Sequence, residues 1–480
     1  MAENKRKYEN SRLIMASYGS HQFFSQWITG SFGIFVFYFY EVEIGLNVTI
    51  AALAFIIYSV WNAVNDPLIG YMLERVHMPW QRKWGVKRFP WIILGAIPWM
   101  FTYLLIFLVP FNWDPVGDRW SIFLWYLLTL CLYDTLFTLW NVNAVALYPD
   151  KFRDLNERRT ATGIGTLIGM IGIVCAMTIP PLLVSQGVPQ TYRNMAWFSI
   201  AIGFLLFFFM IPGVFENKKM RERYKLARDT FKTEQREPFF KTTKRVLTNR
   251  RFMVKMIFFW GYQAAAALLQ VSAAYVVTFI LDEVNFILTI ILAFMLLGAV
   301  ISLPIWTFIS KRMNNNKKFS LVAGFMMYAA FIPLFFGLNI GLIGYAITLF
   351  AWGIGLGAQW FADPPTMGDV LDDVAIKLGR REDAVYYGWN AFFIRLSAAF
   401  QAIMFALVHS LTGFKEGATS LSQLRFLSPS PELARFGIII HSAMIPAIIV
   451  LITTLIFWKW YDLTPDKVAE NKDKLKELGI

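Results

Sequence analysis

The sequence is poor in the residues on which soluble enzymes and secreted scaffolds depend. It has two cysteines in 480 residues, Cys131 and Cys175, and both fall inside long apolar runs, so no disulfide framework is indicated. Only 16% of the residues are charged. No GxxxxGKS or GxxxxGKT phosphate loop and no HExxH, CxxC or GxSxG motif occurs, which argues against an enzyme and against ATP-driven transport by this chain. We therefore expect no cofactor and no metal beyond a sodium ion.

Long apolar segments are what the sequence has instead. Hydrophobic residues make up 57% of the chain, aromatic residues 17%, and the mean hydropathy is +0.48. A hydrocarbon core about 30 Å thick requires roughly 20 apolar residues per helical span, and such runs recur along the chain. A transmembrane β-barrel would instead show strands of about 10 residues with alternating polarity. The sequence predicts an all-α membrane protein with many spans.

The apolar runs predict about twelve transmembrane helices. They cover residues 16–40, 47–73, 89–111, 119–148, 159–184, 194–214, 252–281, 286–310, 319–338, 341–364, 387–411 and 435–460. Lys and Arg concentrate in alternate connections, so the positive-inside rule places both termini in the cytoplasm. We expect a multi-pass protein of the plasma (inner) membrane. The same distribution makes lipid headgroups, and not nucleic acid, the expected counterpart of the net charge of +13. The polar N-terminus does not resemble a cleavable signal peptide.

The longest polar connection divides the chain into two halves of six spans. We predict an N-terminal bundle with the cation site, a basic linker, a C-terminal bundle and a charged tail, at residues 1–214, 215–251, 252–461 and 462–480. Apolar residues recur at helical spacing in the linker, which suggests an amphipathic helix on the inner leaflet or, alternatively, a solvated helix. They are Met220, Tyr224, Ala227 and Phe231. The halves also echo one another, as NDPLIGYMLER closes span two and LPIWTFISKR closes span eight, and repeated halves are typical of transporters.

Four polar residues lie at a similar predicted depth in different spans. Asp66 and Asn141 precede the cytoplasmic ends of spans two and four. Gln26 and Arg395 follow the cytoplasmic ends of spans one and eleven. A rise of about 1.5 Å per residue places all four on the order of 12–15 Å deep. Ionisable groups at this depth are costly, so Asp66 and Arg395 are expected to mark a transport pathway.

Polar side chains form one stripe on span two and another on span four, at the spacing of a single helix face. The stripes consist of Ser59, Asn62, Asn65 and Asp66, and of Asp134, Thr138 and Asn141. Lipid exposure would be costly, so both stripes are expected to face the bundle interior. Interhelical packing is an open alternative to ligand binding for Asn62, Thr138 and Asp134. Packing is the preferred interpretation for three histidines, His21, His409 and His441.

Residues 61–90 carry a family motif. NDPLIGYMLER followed by RKWGVKRFPW resembles the NDPxxG pattern and basic loop of the glycoside-pentoside-hexuronide cation symporters, the melibiose permease-like branch of the major facilitator superfamily. YGSHQFFSQ in span one, the exit of span four and GRRED before span eleven extend the resemblance over essentially the whole chain. It implies two six-helix bundles that give alternating access to a central site, and symport of a substrate with a cation.

The resemblance implies a cation site in the first half. In the family, two acids one turn apart on span two, with an acid and a Thr on span four, form the sodium site. Asp66 and Thr138 match the second acid and the Thr, whereas Asn62 and Asn141 stand where the other acids would be. We add Asn65 to this set. The lost negative charge favours proton or weak sodium coupling over strict sodium dependence.

The resemblance also places substrate-binding residues. Gln26 aligns with the family's sugar-binding acid and Arg395 with its span-eleven Lys, whereas the Arg of span five falls near Gly165 or Thr166 and is absent. Galactoside recognition of the melibiose type is therefore not expected. Substrate contacts are predicted at Gln26, Asp134, Arg395, Trp140, Gln359 and Trp360.

GYMLER is similar to the GxxxDR gate of the wider superfamily, with Glu74 in the Asp position. A charged pair at a cytoplasmic helix end would hold one conformer of the carrier closed. Gating residues are predicted at Gly70, Glu74, Arg75, Arg158, Arg380 and Arg381.

Together these features predict a secondary active transporter that carries a sugar, glycoside or sugar acid with a proton or a sodium ion. Arg395 in the cavity would suit a carboxylate, sulfonate or phosphate on the substrate. A lysolipid symporter of the same fold is one alternative, because such symporters share the span-two pattern and a cationic span-eleven residue, and the aromatic content allows an apolar cavity. A sensor that keeps the fold without transport is another, suggested by the missing acids. We expect a monomer surrounded by membrane lipids.

Overall fold

The computed structural model describes residues 10–75, 78, 79, 83, 85–152, 155–222, 239–379 and 383–478. Within these ranges the chain is helical with short connections and contains no β-strand, as the sequence predicts. The helices are α1 Arg12–Tyr38, α2 Val48–Arg75, α3 Phe89–Phe107, α4 Arg119–Lys151, α5 Leu155–Thr178, α6 Pro189–Val214, α7 Phe239–Thr248, α8 Arg250–Tyr275, α9 Asn285–Met313, α10 Asn316–Phe331, α11 Gly337–Leu378, α12 Asp383–Thr412, α13 Leu421–Leu427, α14 Pro431–Ile439, α15 Ile445–Trp460 and α16 Pro465–Leu478.

Short segments of wider or tighter helix connect some of these elements. Three π-helical turns lie at Phe39–Glu43, Val276–Ile280 and Ile440–Met444. Two 3-10 turns lie at Pro180–Leu183 and Ile332–Phe336.

Ten helical stretches in the described chain are long and apolar enough to cross a membrane. One of them, Asn316–Leu378, contains both the ninth and the tenth predicted spans, because the turn Ile332–Phe336 between them is itself helical. The helix at the first predicted span, α1, is not one of the ten, and Ser17, Ser20 and His21 interrupt its apolar run. The chain is a multi-pass membrane protein, while the count of twelve spans and the cytoplasmic termini stay predictions.

The chain forms two compact units. The first comprises Met1–Tyr40 and Val60–Gln235, and the second comprises Glu41–Ser59 and Arg236–Ile480. The segment Glu41–Ser59, which follows α1 and begins α2, thus belongs to the second unit. The predicted domain boundaries, which assign it to the N-terminal bundle, stay a prediction.

In the first unit α1 packs closely along α5. A Cβ atom at Gly19 would lie 2.8 Å from the Cα of Gly165, and one at Gly172 would lie 2.8 Å from the Cα of Phe23, so glycine is required where the helices cross. Gly165 is one of the two positions at which the resemblance would place an Arg. A helix–helix contact occupies that place instead.

Among the described candidate spans of the second unit, the stretch that contains α8 is the most enclosed. In its stretch Arg250–Ile280, 78% of the most apolar window is buried, against 28% in Thr160–Leu183 of the first unit. It packs against α12 and α15. Its polar residues therefore need partners inside the protein.

The predicted linker is only partly described. Met220 is buried, and a basic helix, α7, covers its second part. Tyr224, Ala227 and Phe231 lie outside the described residues. The amphipathic linker helix stays a prediction.

Candidate cation site and neighbouring polar groups

Polar side chains of α2 and α4 meet at one helix contact in the first unit. Asn62 Nδ2 donates to Asp134 Oδ1 at 2.6 Å, and Asn65 Nδ2 donates to Asp134 Oδ2 at 3.0 Å. Thr138 Oγ1 donates to Asp66 Oδ1 at 2.6 Å. The two predicted stripes therefore face each other, and they bring five of the predicted site residues together.

The register of this contact explains how the pairs form. Asn62 and Asp134 are 72 residues apart, and so are Asp66 and Thr138. Because the offset is constant, α2 and α4 run in the same direction at this contact, and the two pairs form layers one helical turn apart. One carboxylate belongs to each layer.

The two carboxylates differ in accessibility. Asp134 is 3% exposed and both of its oxygens accept amide hydrogens, whereas Asp66 is half-buried. The flanking Asn62, Asn65 and Thr138 are buried. A cation would therefore reach Asp66 more easily, and it would meet the Asp66 carboxylate beside the Thr138 hydroxyl.

The ligand types at this contact favour a hard monovalent cation over a transition metal. Oxygen ligands suit sodium, while His and Cys suit softer metals. Among the described residues, no group of three or more His, Cys, Asp or Glu side chains is arranged to hold a metal ion. Asp134, a predicted substrate residue, lies with the amides of the predicted cation site.

Three further residues of the first unit are predicted site residues. Asn141 is half-buried one turn beyond Thr138 on the same helix face, and Gln26 is half-buried on α1. Trp140 is fully buried, and its ring centroid lies 5.0 Å from that of Phe24 and 5.3 Å from that of Trp99. Trp140 is part of an aromatic core in this structure.

The predicted substrate residues of the second unit are spread over two helices. Arg395 is half-buried on α12. Gln359 on α11 is 1% exposed and donates from Nε2 to the Ser320 carbonyl at 3.3 Å, so it joins two helices. Its neighbour Trp360 is half-buried. Their roles in substrate binding stay predictions.

The predicted gating residues fall largely outside the described part of the chain. Arg380 and Arg381 lie outside the described residues. Four others belong to helices whose side chains at these positions are not described, namely Gly70, Glu74, Arg75 and Arg158.

A buried ion pair in the second unit is missing from the sequence analysis. Lys255 Nζ of α8 lies 2.7 Å from Asp363 Oδ1 of α11, and the Lys255 side chain is 2% exposed. The ammonium also lies 4.6 Å from the ring centroid of Phe259. The rule that ionisable residues inside spans are functional candidates would have identified both partners.

Charged groups near the helix ends also have specific partners. The carboxylate of Glu216, after α6, accepts the backbone N–H groups of Lys87 and Phe89 at 2.9 and 3.4 Å, and burial raises the pKa of Glu216. At the end of the second unit, the guanidinium of Arg251 binds Asp462 and lowers the pKa of that carboxyl to about 2.

The helical fold with its buried polar contact defines the class: an integral, multi-pass membrane protein with the fold of major facilitator transporters. The model of the MFS/sugar transport protein family matches residues 17–465, and the chain belongs to that family.

Several curated proteins are similar to this chain. The sodium-dependent lysophosphatidylcholine symporter 1 of Mus musculus is 25% identical over 452 residues, which covers 87% of this chain and 79% of that protein. The protein of the same name from Gallus gallus is 24% identical over 450 residues, which covers 87% of this chain and 80% of that protein. The uncharacterized symporter YnaJ of Bacillus subtilis is 24% identical over 496 residues, with 99% and 98% covered. All three are named as symporters, which is consistent with the prediction that the chain is not an enzyme.

Solved structures support the fold. A D-xylose-proton symporter superposes with a TM-score of 0.62 at 12% identity, and it covers 94% of this chain and 97% of its own. The nucleoside transporter NupG superposes with a TM-score of 0.53 at 13% identity, and the match covers 93% of this chain and 98% of the NupG chain. At these identities the similarity concerns the fold alone.

Proposed function

We propose that the protein is a cation-coupled symporter that carries a lysophospholipid or a closely related single-chain lipid by alternating access. The observation that carries this proposal is the similarity, over 87% of the chain, to proteins named sodium-dependent lysophosphatidylcholine symporters. These names favour the lysolipid alternative of the sequence analysis over its preferred sugar substrate. The motif around Asn65 and Asp66 supports a place near the glycoside-pentoside-hexuronide cation symporters within the family.

The contact between α2 and α4 supports the coupling step. Asp66 supplies the negative charge and Thr138 a hydroxyl beside it, while Asn62 and Asn65 donate their amide hydrogens to Asp134 in the adjacent layer. Such a set binds sodium more weakly than a site with several carboxylates. Sodium is the proposed coupling ion because the relatives are named sodium-dependent, and a proton on Asp66 is the alternative.

Arg395 supports an anionic group on the substrate. Its guanidinium presents planar, paired donors that match the oxygens of a phosphate, and α12 holds it half-buried. A lysophospholipid combines such a phosphate with one acyl chain. A neutral sugar lacks the anionic group.

Uptake into proteoliposomes tests this proposal. Vesicles with the purified full chain are given labelled lysophosphatidylcholine or a labelled sugar, each with an inward sodium gradient, an inward proton gradient or neither. We expect sodium-stimulated uptake of the lipid. Accumulation of the sugar alone would restore the sugar interpretation, and flux of neither would favour the sensor alternative.

Substitution of Arg395 separates the headgroup contact from coupling. Arg395→Ala should raise the half-saturating lipid concentration by about tenfold or more, because a charge-assisted pair is lost. Arg395→Lys keeps the charge without the planar donor pair and should lose less. Equal uptake by wild type and Arg395→Ala would remove Arg395 from the substrate site.

A further inference from the structure

Five buried side chains form a continuous hydrogen-bonded chain in the second unit. The Tyr275 hydroxyl donates to Glu41 Oε2, and Glu41 Oε1 lies 2.6 Å from His409 Nδ1. His409 Nε2 lies 3.1 Å from His441 Nε2. His441 Nδ1 lies 2.7 Å from Ser272 Oγ. All five residues are 0% exposed.

The backbone around this chain is specialised. Glu41 lies within the π-helical turn Phe39–Glu43, and His441 lies within the turn Ile440–Met444. Tyr275 immediately precedes the third such turn, Val276–Ile280. Single π-turns are rare and frequently occur at functional sites. Three of them at one polar cluster therefore point to more than packing.

The hydrogen bonds fix how many protons the chain can hold. Exactly one hydrogen can lie between the two facing Nε2 atoms. With neutral imidazoles, His409 donates from Nδ1 to Glu41 and accepts at Nε2 from His441, and His441 accepts at Nδ1 from Ser272. In that state the cluster carries the single negative charge of Glu41.

A second proton state keeps every one of these contacts. A proton from water binds His441 Nδ1, and the hydrogen on His441 Nε2 moves to His409 Nε2. His409 then becomes an imidazolium that donates to Glu41 and to His441, while the Ser272 hydroxyl turns to accept from His441. One proton is taken up, no other bond changes, and the net charge becomes zero.

The surroundings of the chain favour the protonated state, in which the net charge is zero. Phe414 stacks on the His409 ring at 4.3 Å between centroids, and Phe405 lies 4.2 Å from the His441 ring. Both imidazoles are therefore packed against aromatic rings and are 0% exposed. A buried carboxylate without a counter-charge costs several kcal/mol, and an ion pair with an imidazolium offsets this cost.

Other charged groups on the packed elements have partners elsewhere or are exposed. The Arg435 guanidinium binds the Phe279 carbonyl at 3.0 Å, and Glu416 accepts from Asn47 at 3.0 Å. Lys415, Asp282 and Glu283 are exposed, and Glu43 is half-buried in the same turn as Glu41. Glu43 would add negative charge, so it also favours proton uptake.

We propose that the Glu41–His409–His441 chain is a proton-binding site that reversibly takes up one proton, held as an imidazolium at His409. The site differs from the cation site around Asp66, which contains no histidine. Its three titratable groups follow one another in a line, so they do not surround a point as the ligands of a metal would.

Histidine NMR of the intact protein tests this proposal. The chain has four histidines, so the full-length protein labelled with ¹⁵N-histidine, in lipid nanodiscs, gives few signals. We expect the His409 ring to carry hydrogen on both nitrogens after proton uptake and on Nδ1 alone after proton release, and the change to be reversible. Substitutions of single histidines assign the signals.

Two substitutions should shift this titration in opposite directions. Glu41→Gln removes the counter-charge, so proton affinity should fall by about tenfold or more. Tyr275→Phe removes a hydrogen bond to Glu41, so the carboxylate becomes a stronger acceptor and proton affinity should rise by about twofold to tenfold. The matched control is His21, which is buried against the Tyr18 carbonyl in the first unit and should not change.

Two results would overturn the proposal. One is a His409 ring that stays neutral from about pH 5 to about pH 9 in the wild type. The other is a His409 titration that does not respond to Glu41→Gln. If Glu41→Gln does not fold, the proposal is tested by the titration of His409 in the wild type and in Tyr275→Phe.

Discussion

The two units hold their buried charges in different ways. In the first unit neutral donors bind two of the carboxylates: amides at Asp134 and a hydroxyl at Asp66. In the second unit oppositely charged or titratable groups do so, as at Lys255 with Asp363 and at His409 with Glu41. Neutral donors leave the charge of a carboxylate in place.

This difference suggests a division of roles. A carboxylate that keeps its charge attracts a mobile cation, so the contact between α2 and α4 suits coupling to an ion that enters and leaves. An ion pair neutralises itself, so the pairs of the second unit suit stable helix packing or, with histidine, proton binding.

Removal of the negative charge of Asp66 should have the largest effect on transport. Asp66→Asn should lower gradient-driven accumulation by about 100-fold or more, equivalent to about 2.7 kcal/mol, while substrate binding persists. Uptake and equilibrium binding in proteoliposomes measure the two quantities. Asp466→Asn, at an exposed position near the start of α16, is the control for removing one carboxylate. Unchanged accumulation by Asp66→Asn would contradict the assigned role of α2.

The next largest effect is expected on stability, when one partner of the buried Lys255–Asp363 pair is removed. Lys255→Met leaves Asp363 without its cation and should lower the free energy of unfolding by about 3–5 kcal/mol. Thermal unfolding of the purified protein measures this. The exposed Lys459→Met is the control, and the double variant with Asp363→Leu should regain most of the loss. A small effect of Lys255→Met would show that the second unit does not depend on this pair.

An acid restored at position 62 should make the stability of the first unit more dependent on sodium. Asn62→Asp places a second carboxylate against Asp134, so the unfolding temperature should fall without sodium and recover with it. We expect sodium to contribute about 1–2 kcal/mol more than in the wild type. Asn143→Asp, on α4 with its amide on the Leu139 carbonyl, should be destabilised without this sodium response. An equal response in both variants would argue against a cation site at Asn62.

The smallest effect is expected at the half-exposed pair of Arg251 and Asp462. The pKa of Asp462 is lowered to about 2, so its contribution to stability is present above the ordinary value of 3.8 and is lost as pH falls through about 2. Asp462→Asn should therefore cost less than about 1 kcal/mol, after allowance for solvent screening, and by a constant amount between about pH 7 and about pH 4. Unfolding temperatures of both proteins across this range check the prediction. A difference that vanishes by about pH 5 would contradict the lowered pKa.

Part of the site could be predicted because it is local in the chain. Spacing along one helix places Asn62, Asn65 and Asp66 on one face, and the same rule selects Asp134 and Thr138. The rule does not say which residue meets which, because that depends on how far one helix slides along the other. The offset of 72 residues pairs Asp134 with the amides, which the sequence analysis did not predict.

The proton-binding chain could not be predicted in the same way. Glu41 reads as one acid in a polar connection, and His409 and His441 read as packing residues. They are brought together across 368 positions of sequence between Glu41 and His409. Nothing local in the sequence specifies that contact.

The sequence by itself determined the membrane class, the helical fold and the residues of highest electrostatic cost, because hydropathy and helical periodicity are properties of neighbouring residues. The tertiary structure decided which charges receive neutral partners and which receive ionic ones. That choice depends on helix register and on backbone turns such as Phe39–Glu43, which aim side chains from distant parts of the chain at one another.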